Sequence, residues 1–117
     1  MRYIASGSRQ WKSGRGYEKA PLVNADTLGV PGTLVQVLRV APMEKIPAHY
    51  HEHATEVFHM LMGSGTMTIA GEKVVLSPGD TLVCEAKEVH DAENPGKEEW
   101  SYIVFKTNWV DGDSTWL

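Results

Sequence analysis

The sequence predicts an all-β domain, folded as an antiparallel sandwich or barrel. Segments of about five to eight residues rich in Val, Leu and Ile recur along the chain, and Gly, Pro and Asp separate them at short intervals. In residues 100–107, Trp100, Tyr102 and Val104 alternate with Ser101, Ile103 and Phe105, which is typical of a strand with two different faces. Many short strands with regular turns between them are typical of β-sandwiches and β-barrels.

The strands can be placed in order from the composition of each segment. TLVQVLRV at 33–40 is rich in Val and Leu and predicts the first strand of the main fold, and a Pro-containing turn, APMEKIP, follows. TMTIA and KVVLS flank Gly71-Glu72, which predicts a hairpin. The turn PGD at 78–80 precedes the short strand TLVCE, and the loop AENPGKEE leads into the strand WSYIVFKT at 100–107.

A single domain, residues 1–117, accounts for the chain, since its composition is ordinary and no repeat or linker is visible. Residues 1–32 are polar and Gly-rich and are interpreted as an N-terminal arm or a few extra strands. Residues 33–107 form the predicted barrel. The C-terminal tail, residues 108–117, carries two of the four tryptophans and is expected to pack on a neighbouring surface or subunit.

Four of the five histidines lie in one segment, PAHYHEHATEVFHMLMG at 47–63, around a single glutamate, Glu56. As a helix, this segment would gather an apolar face and would carry Glu-x-x-His at residues 56–59, a pattern of di-iron helix bundles. That architecture needs a second such motif and four long helices, which the sequence lacks. A helical zinc protease needs His-Glu-x-x-His, but Thr55 stands where the second His should be.

As strands, the same segment presents its polar groups differently. His49 and His51 point to the same side of a strand, about 7 Å apart along the chain. After a bend near residues 52–55, a second strand begins at Glu56 with its carboxylate on one face. Two imidazoles and one carboxylate at the mouth of a barrel predict a metal site.

The segment resembles the first sequence motif of the cupin superfamily, which is His-x-His, four residues, Glu, six residues, Gly. His49, His51, Glu56 and Gly63 match that spacing without a gap. The resemblance, which includes a second motif, covers roughly residues 33–107 and is to small single-domain cupins.

The second cupin motif is Gly, five residues, Pro, x, Gly, two residues, His, three residues, Asn. GDTLVCEAKEVHDAEN supplies Gly79, His90 and Asn94 at those spacings. The chain departs from the family at three turn positions, where the family's glycine, proline and glycine are replaced by Met43, Glu85 and Lys87.

The resemblance implies a double-stranded β-helix, or jelly roll, with one divalent transition metal held by His49, His51, Glu56 and His90, and with water in the remaining positions. His90 is identified by the resemblance alone. It also implies a homodimer. Mixed nitrogen and oxygen ligation suits Mn, Fe, Co, Ni, Cu or Zn, so the ligand set does not select the metal. Since ligating histidines must be neutral, we expect affinity to fall as the pH drops through about 6.5, the reference pKa of imidazole.

Four other residues of these motifs are expected to have less specific roles. His59 lies on the face opposite Glu56 and is expected to pack or to form an interface, and His53 is expected to support the site or lie on the surface. Asn94 is interpreted as a turn residue. Cys84, in an apolar strand, is interpreted as a small buried side chain.

The net charge and the cysteine content limit the classes of binding partner and the cellular compartment that we expect. The net charge is −4 and no block of Lys and Arg is present, which argues against nucleic-acid and membrane partners. A single cysteine and the absence of an apolar signal-peptide run lead us to expect a cytoplasmic protein.

The predicted function is that of an enzyme acting on a small oxygenated metabolite at the metal, through dioxygenase, isomerase or lyase chemistry. Three histidines and one carboxylate leave open positions on the ion for such a substrate. The alternative is a non-catalytic module that binds a sugar or another metabolite. A storage or structural role ranks last, because storage cupins usually have two barrels. No catalytic acid or base is identified from the sequence.

Overall fold

Eleven β-strands and two short helical segments make up residues 1–117, which a computed structural model describes in full. The helical segments are a 3₁₀ turn at Ser6–Ser8 and α1 at Ala25–Leu28. In chain order the strands are β1 Lys12–Ser13, β2 Glu18–Asn24, β3 Leu34–Val40, β4 Lys45–His51, β5 Thr55–Met62, β6 Gly65–Ile69, β7 Glu72–Leu76, β8 Thr81–Cys84, β9 His90–Glu93, β10 Trp100–Thr107 and β11 Ser114–Trp116. Neither helical segment has the length and hydropathy needed to cross a bilayer.

The strands form two antiparallel sheets that enclose a common core. The six-stranded sheet has the order β1-β2-β3-β10-β5-β8, and the five-stranded sheet has the order β11-β4-β9-β6-β7. Consecutive strands repeatedly change sheet, as β4 and β5 do on either side of the bend at residues 52–54. The predicted all-β double-stranded β-helix is therefore confirmed.

The two ends of the chain extend the sheets. β1 and β2 continue the six-stranded sheet beyond β3, so strands are present within residues 1–32. The C-terminal strand β11 pairs with β4, where Ser114 is opposite His51 and Trp116 is opposite His49. The tail thus packs on the chain's own five-stranded sheet, next to the segment that carries the histidines.

Alternation along the strands fills the core. On β10, Trp100, Tyr102 and Val104 point inward and are almost fully buried, as the period-two pattern predicts. The indole ring of Trp100 lies over the backbone of β6, where a Cβ on Gly65 would come within 2.2 Å of it. A residue larger than glycine at position 65 would therefore displace the largest side chain of the core.

The predicted hairpin is present, but its turn is one residue earlier than expected. Ile69 pairs with Glu72, so the two turn residues are Ala70 and Gly71 rather than Gly71 and Glu72. Both have positive φ, 50° and 83°, as a tight two-residue hairpin turn requires. The glycine therefore takes the second turn position, and Glu72 begins the next strand.

Candidate metal centre

Three histidines enter the barrel from one sheet and a glutamate enters from the other. β4 carries His49 and His51 on the same face, and β9 carries His90, which pairs with His49. The chain then bends at residues 52–54 and crosses to the six-stranded sheet, where β5 turns Glu56 inward. The strand interpretation of this segment is confirmed, and the helical one is excluded.

The four side chains lie close together. One ring nitrogen from each histidine lies within 4.8 Å of those of the other two, so the three could hold a metal ion. Glu56 Oε1 is 2.7 Å from His51 Nε2 and 3.2 Å from His90 Nε2. The structure thus brings together the four candidate ligands, His90 included.

Each imidazole is oriented through its other nitrogen. His49 Nδ1 lies 2.8 Å from the carbonyl oxygen of Pro47, and His90 Nδ1 lies 2.9 Å from that of Glu88. A carbonyl only accepts, so both Nδ1 atoms donate, and each ring in its neutral form presents the Nε2 lone pair to the cavity. This is the arrangement in which histidines commonly bind metal ions, with one nitrogen fixed and the other available.

Glu56 is ionised inside the barrel. Burial alone would raise its pKa, but contacts with His51 and His90 and the charge of Lys106 outweigh burial and hold the pKa well below its usual range. Its Oε1 is fully buried and accepts no well-aligned hydrogen bond, despite the two nearby ring nitrogens. An unsatisfied buried carboxylate oxygen is costly, and a cation between it and the imidazoles would remove that cost. The residues present therefore fit a metal ion.

The histidines differ in their proton affinity when no ion screens them. Burial lowers the pKa of His49 to about 4, with a smaller contribution from the charge of His90. For His90 burial would also lower the pKa, but contacts with Cys84 and Glu56 outweigh it and raise the pKa to about 10. At neutral pH a cation would therefore compete with a proton on His90 but not with one on His49.

Lys106 is a site residue that the sequence motifs do not identify. It lies on the inward face of β10, and its ammonium is 3.8 Å from Glu56 Oε2. The side chain is 10% exposed, an unusual environment for a lysine. The alternation of Trp100, Tyr102 and Val104 places position 106 on the inward face, so extending that pattern by two residues would have found it.

The C-terminal tail packs against the histidine segment and lines part of the cavity. Ser114 Oγ lies 3.1 Å from His51 Nδ1, and the ring of Trp116 packs on His49 with centroids 4.4 Å apart. The buried carboxylate of Asp113 accepts hydrogen bonds from the backbone N–H groups of His53 and Ala54 at 2.9 to 3.2 Å. The tail therefore orients two candidate ligands and fixes the bend between β4 and β5.

The other singled-out residues lie where their patterns predict. His53 is exposed, and His59 is exposed on the outer face, with Nδ1 2.9 Å from Thr81 Oγ1. Asn94 is fully buried in the turn before β10, where its side-chain amide donates to two backbone carbonyls. Cys84 is a buried free thiol.

The histidines and Glu56 line an open cavity of about 80 Å³. Its walls combine apolar side chains, such as Phe58 and Met67, with polar ones from the six-stranded sheet, such as Gln36 and Tyr102. Burial is the main cause that raises the pKa of Tyr102, so its hydroxyl stays protonated and available as a donor. The cavity has room for a small polar molecule next to the four side chains.

Comparison with known proteins agrees with this architecture. The chain is 25% identical over 94 residues to an oxalate-binding protein of Thermotoga maritima, spanning 80% of this chain and 78% of that protein. It is 45% identical over 47 residues to quercetin 2,3-dioxygenase of Bacillus subtilis, but spans only 14% of that enzyme's length. The crystal structure of a predicted oxalate decarboxylase from Thermotoga maritima shares the fold, with a TM-score of 0.82, 22% identity, and coverage of 92% of this chain and all of that one.

A family model that matches a longer part of the chain identifies the family. The model of the cupin domain matches residues 36–106, which is more than half of the chain. That match starts within β3 and ends within β10, and it includes both histidine motifs. With its two sheets and its converging histidines, this chain belongs to the cupin family.

Proposed function

We propose that this protein is a metal-dependent cupin enzyme that acts on a small oxygenated metabolite at a divalent transition-metal ion. His49, His51, His90 and Glu56 would hold the ion. The observation that carries the proposal is Glu56 Oε1, buried without an aligned donor and within 3.2 Å of two Nε2 atoms. A divalent ion is the group that satisfies a carboxylate and imidazole lone pairs at once.

The bound ion would supply Lewis acidity and open positions for substrate oxygens. The protein's own residues would do the rest. The carbonyls of Pro47 and Glu88 fix the tautomers of His49 and His90. Dioxygenase, isomerase and lyase chemistry are all compatible with this site, because each needs an oxygenated substrate bound through the ion.

A second candidate is a module that binds a metabolite without transforming it. It is supported by the name of the oxalate-binding relative, of which the chain covers 78%. Incubating the metal-loaded protein with carbon-13 oxalate and following its NMR signals separates the two candidates. Recovery of unchanged oxalate with saturable binding would favour the module, whereas conversion of the label would favour the enzyme.

The metal assignment is tested by substituting one candidate ligand and one exposed histidine of the same segment. His51→Ala is expected to lose stoichiometric metal, because it removes a nitrogen beside Glu56. His53→Ala is the matched control, since His53 is exposed and outside the cavity, and it should keep its metal. Elemental analysis of both proteins, with circular dichroism to verify folding, gives the answer. Stoichiometric metal in folded His51→Ala would contradict the proposal.

A further inference from the structure

Two lysines line the cavity wall that faces the histidines. Lys106 on β10 and Lys19 on β2 both belong to the six-stranded sheet, whereas the histidines come from the opposite sheet. Lys106 is buried, and Lys19 is partly buried. Placing an ammonium group in a barrel is unfavourable unless an anion compensates it, so a buried lysine in a cavity is a sign of function.

The protein's own carboxylates compensate these lysines only in part. At 3.8 Å, the Lys106–Glu56 ion pair is longer than a hydrogen bond, and Glu56 is shared with two imidazoles at 2.7 and 3.2 Å. Lys19 forms no ion pair with a carboxylate of the protein. Its pKa is lowered by burial and then by the positive charges of Lys106 and Lys12. The ammonium donors of this wall are therefore left for a group inside the cavity.

The net charge of the cavity with a metal ion bound indicates which kind of ligand these lysines would bind. Besides Glu56, the one carboxylate that lines the cavity is Asp91. A divalent ion together with Lys106 and Lys19 would exceed the charge of these two carboxylates by two. Electrostatic complementarity then favours a ligand with two negative charges.

We propose that the cavity binds a small dicarboxylate, with one carboxylate at the histidine-glutamate centre and the other held by Lys106 and Lys19. This inference rests on the proposed metal centre and adds the class of ligand. Gln36 and the neutral hydroxyl of Tyr102, which line the same wall, supply further hydrogen-bond donors to the second carboxylate.

The experiment uses malonate as the dicarboxylate, malonamide as an uncharged molecule of similar size, and acetate as a monocarboxylate. Isothermal titration calorimetry on Mn(II)-loaded protein measures the affinity of each. Malonate is expected to bind at least about tenfold more tightly than either of the others, because only malonate satisfies both ends of the cavity. Equal or tighter binding of malonamide or acetate would overturn the inference.

Two lysine variants locate the second carboxylate. Lys106→Met and Lys19→Met are each expected to weaken malonate binding by about tenfold or more. Lys19 makes no ion pair with Glu56, so its variant tests the inference without disturbing the candidate ligands. Lys73→Met is the matched control, since Lys73 is exposed on β7 outside the cavity, and it should bind malonate within about twofold of the native protein.

Metal content separates the possible failures. Stoichiometric metal in all proteins, with malonate affinity unchanged in both cavity variants, would overturn the dicarboxylate inference and leave the metal centre intact. A native protein that takes up no metal would overturn the proposed function, and this inference with it. If Lys106→Met and Lys19→Met lose malonate affinity at unchanged metal content and Lys73→Met does not, the result supports the metal centre and the dicarboxylate inference together.

Discussion

Glu56 is the residue on which the chemistry of the barrel depends. Its carboxylate comes from one sheet and faces imidazoles from the other, and Lys106 lies on its far side. Its pKa is held well below the usual range, so it carries a full negative charge at neutral pH. A buried charge with an unsatisfied oxygen is tolerated where a ligand or ion completes it, which is why such groups concentrate at functional sites.

Metal affinity should depend on pH through His90. Its pKa of about 10 means that the metal-free protein holds a proton there at neutral pH, and an ion must displace that proton. His49, with a pKa of about 4, is already neutral and adds no further proton. The logarithm of the apparent affinity should therefore rise by about one per pH unit from about pH 6 to about pH 8.5.

This range is higher than the reference pKa of imidazole near 6.5 would suggest. The measurement is a calorimetric metal titration in buffers of different ionisation enthalpy, which also counts the proton released. One proton per ion at neutral pH is the expected result. An affinity that stays constant over this range would show that His90 is not protonated in the metal-free protein.

Lys87 stands where the family has a glycine, yet its backbone keeps the left-handed conformation. Its φ is 70°, and Met43, which also replaces a family glycine, has a φ of 67°. A side chain in the left-handed region destabilises the folded state by about 1–2 kcal/mol. Glycine avoids this strain but costs about 0.5–1 kcal/mol, because it makes the unfolded chain more flexible. Lys87→Gly should therefore raise the free energy of unfolding by about 0.5–1 kcal/mol, measured by urea denaturation.

A glycine placed in a regular strand provides the comparison for Lys87. Lys73→Gly, on exposed β7, should lower the free energy of unfolding by about 0.5–1 kcal/mol, since no positive φ is relieved there. If both substitutions destabilise the protein equally, the conformation of Lys87 carries no strain. The backbone N–H of Lys87 donates to the carbonyl of His51 at 2.7 Å, so this turn also touches the histidine strand.

The short strand β11 connects the C-terminal tail to the candidate metal centre. Its residues contact two candidate ligands, and Arg15 from the N-terminal segment stacks on Trp116 at 4.6 Å. β4 is therefore held between β9 on one side and β11 on the other. Two segments outside the barrel thus support the strand that carries His49 and His51.

Asp113→Ala tests this support. It leaves the backbone N–H groups of His53 and Ala54 without their carboxylate partner, so we expect the free energy of unfolding to fall by about 2–3 kcal/mol. Asp111→Ala, an exposed neighbour, should change it by less than about 0.5 kcal/mol. Urea denaturation measures both, and equal small effects would show that the tail does not stabilise the bend.

Local pattern explains which parts of the site could be predicted. Period-two alternation placed His49 and His51 together and His59 opposite Glu56, because a strand fixes side-chain direction residue by residue. Alternation alone would place Met62 on the same inward face as Glu56, but Met62 is 53% exposed. The register between β5 and β10 shifts between Ser101 and Tyr102, opposite this end of β5, so strict alternation does not hold there.

Contacts between distant segments could not be predicted in this way. Asp113 and Ser114 meet residues 53 and 51, about sixty positions earlier, and nothing in either segment encodes the other. His90 was found only because the family motif records which strands become neighbours. The motifs do not identify Lys106 although its own strand pattern contains the signal, because lysine is almost never fully buried unless it is paired.

A bound ion should stabilise both sheets of the barrel together. The candidate ligands come from both sheets, so an ion bound in the folded barrel and not in the unfolded chain raises stability with its concentration. Free metal at about 100 times the dissociation constant should add about 2.7 kcal/mol. Calorimetric melting with and without EDTA measures the effect, and identical melting temperatures would contradict a folded-state site.

A homodimer, expected from the family resemblance, stays a prediction that light scattering can test.

The most direct test of the metal centre is anomalous X-ray scattering from crystals of the purified protein, at the absorption edge of the metal identified by elemental analysis. We expect one peak between the two sheets, about 2.0–2.2 Å from the ring nitrogens of His49, His51 and His90 and from a carboxylate oxygen of Glu56. A peak elsewhere, or a barrel with no anomalous density in protein prepared without chelators, would contradict this expectation.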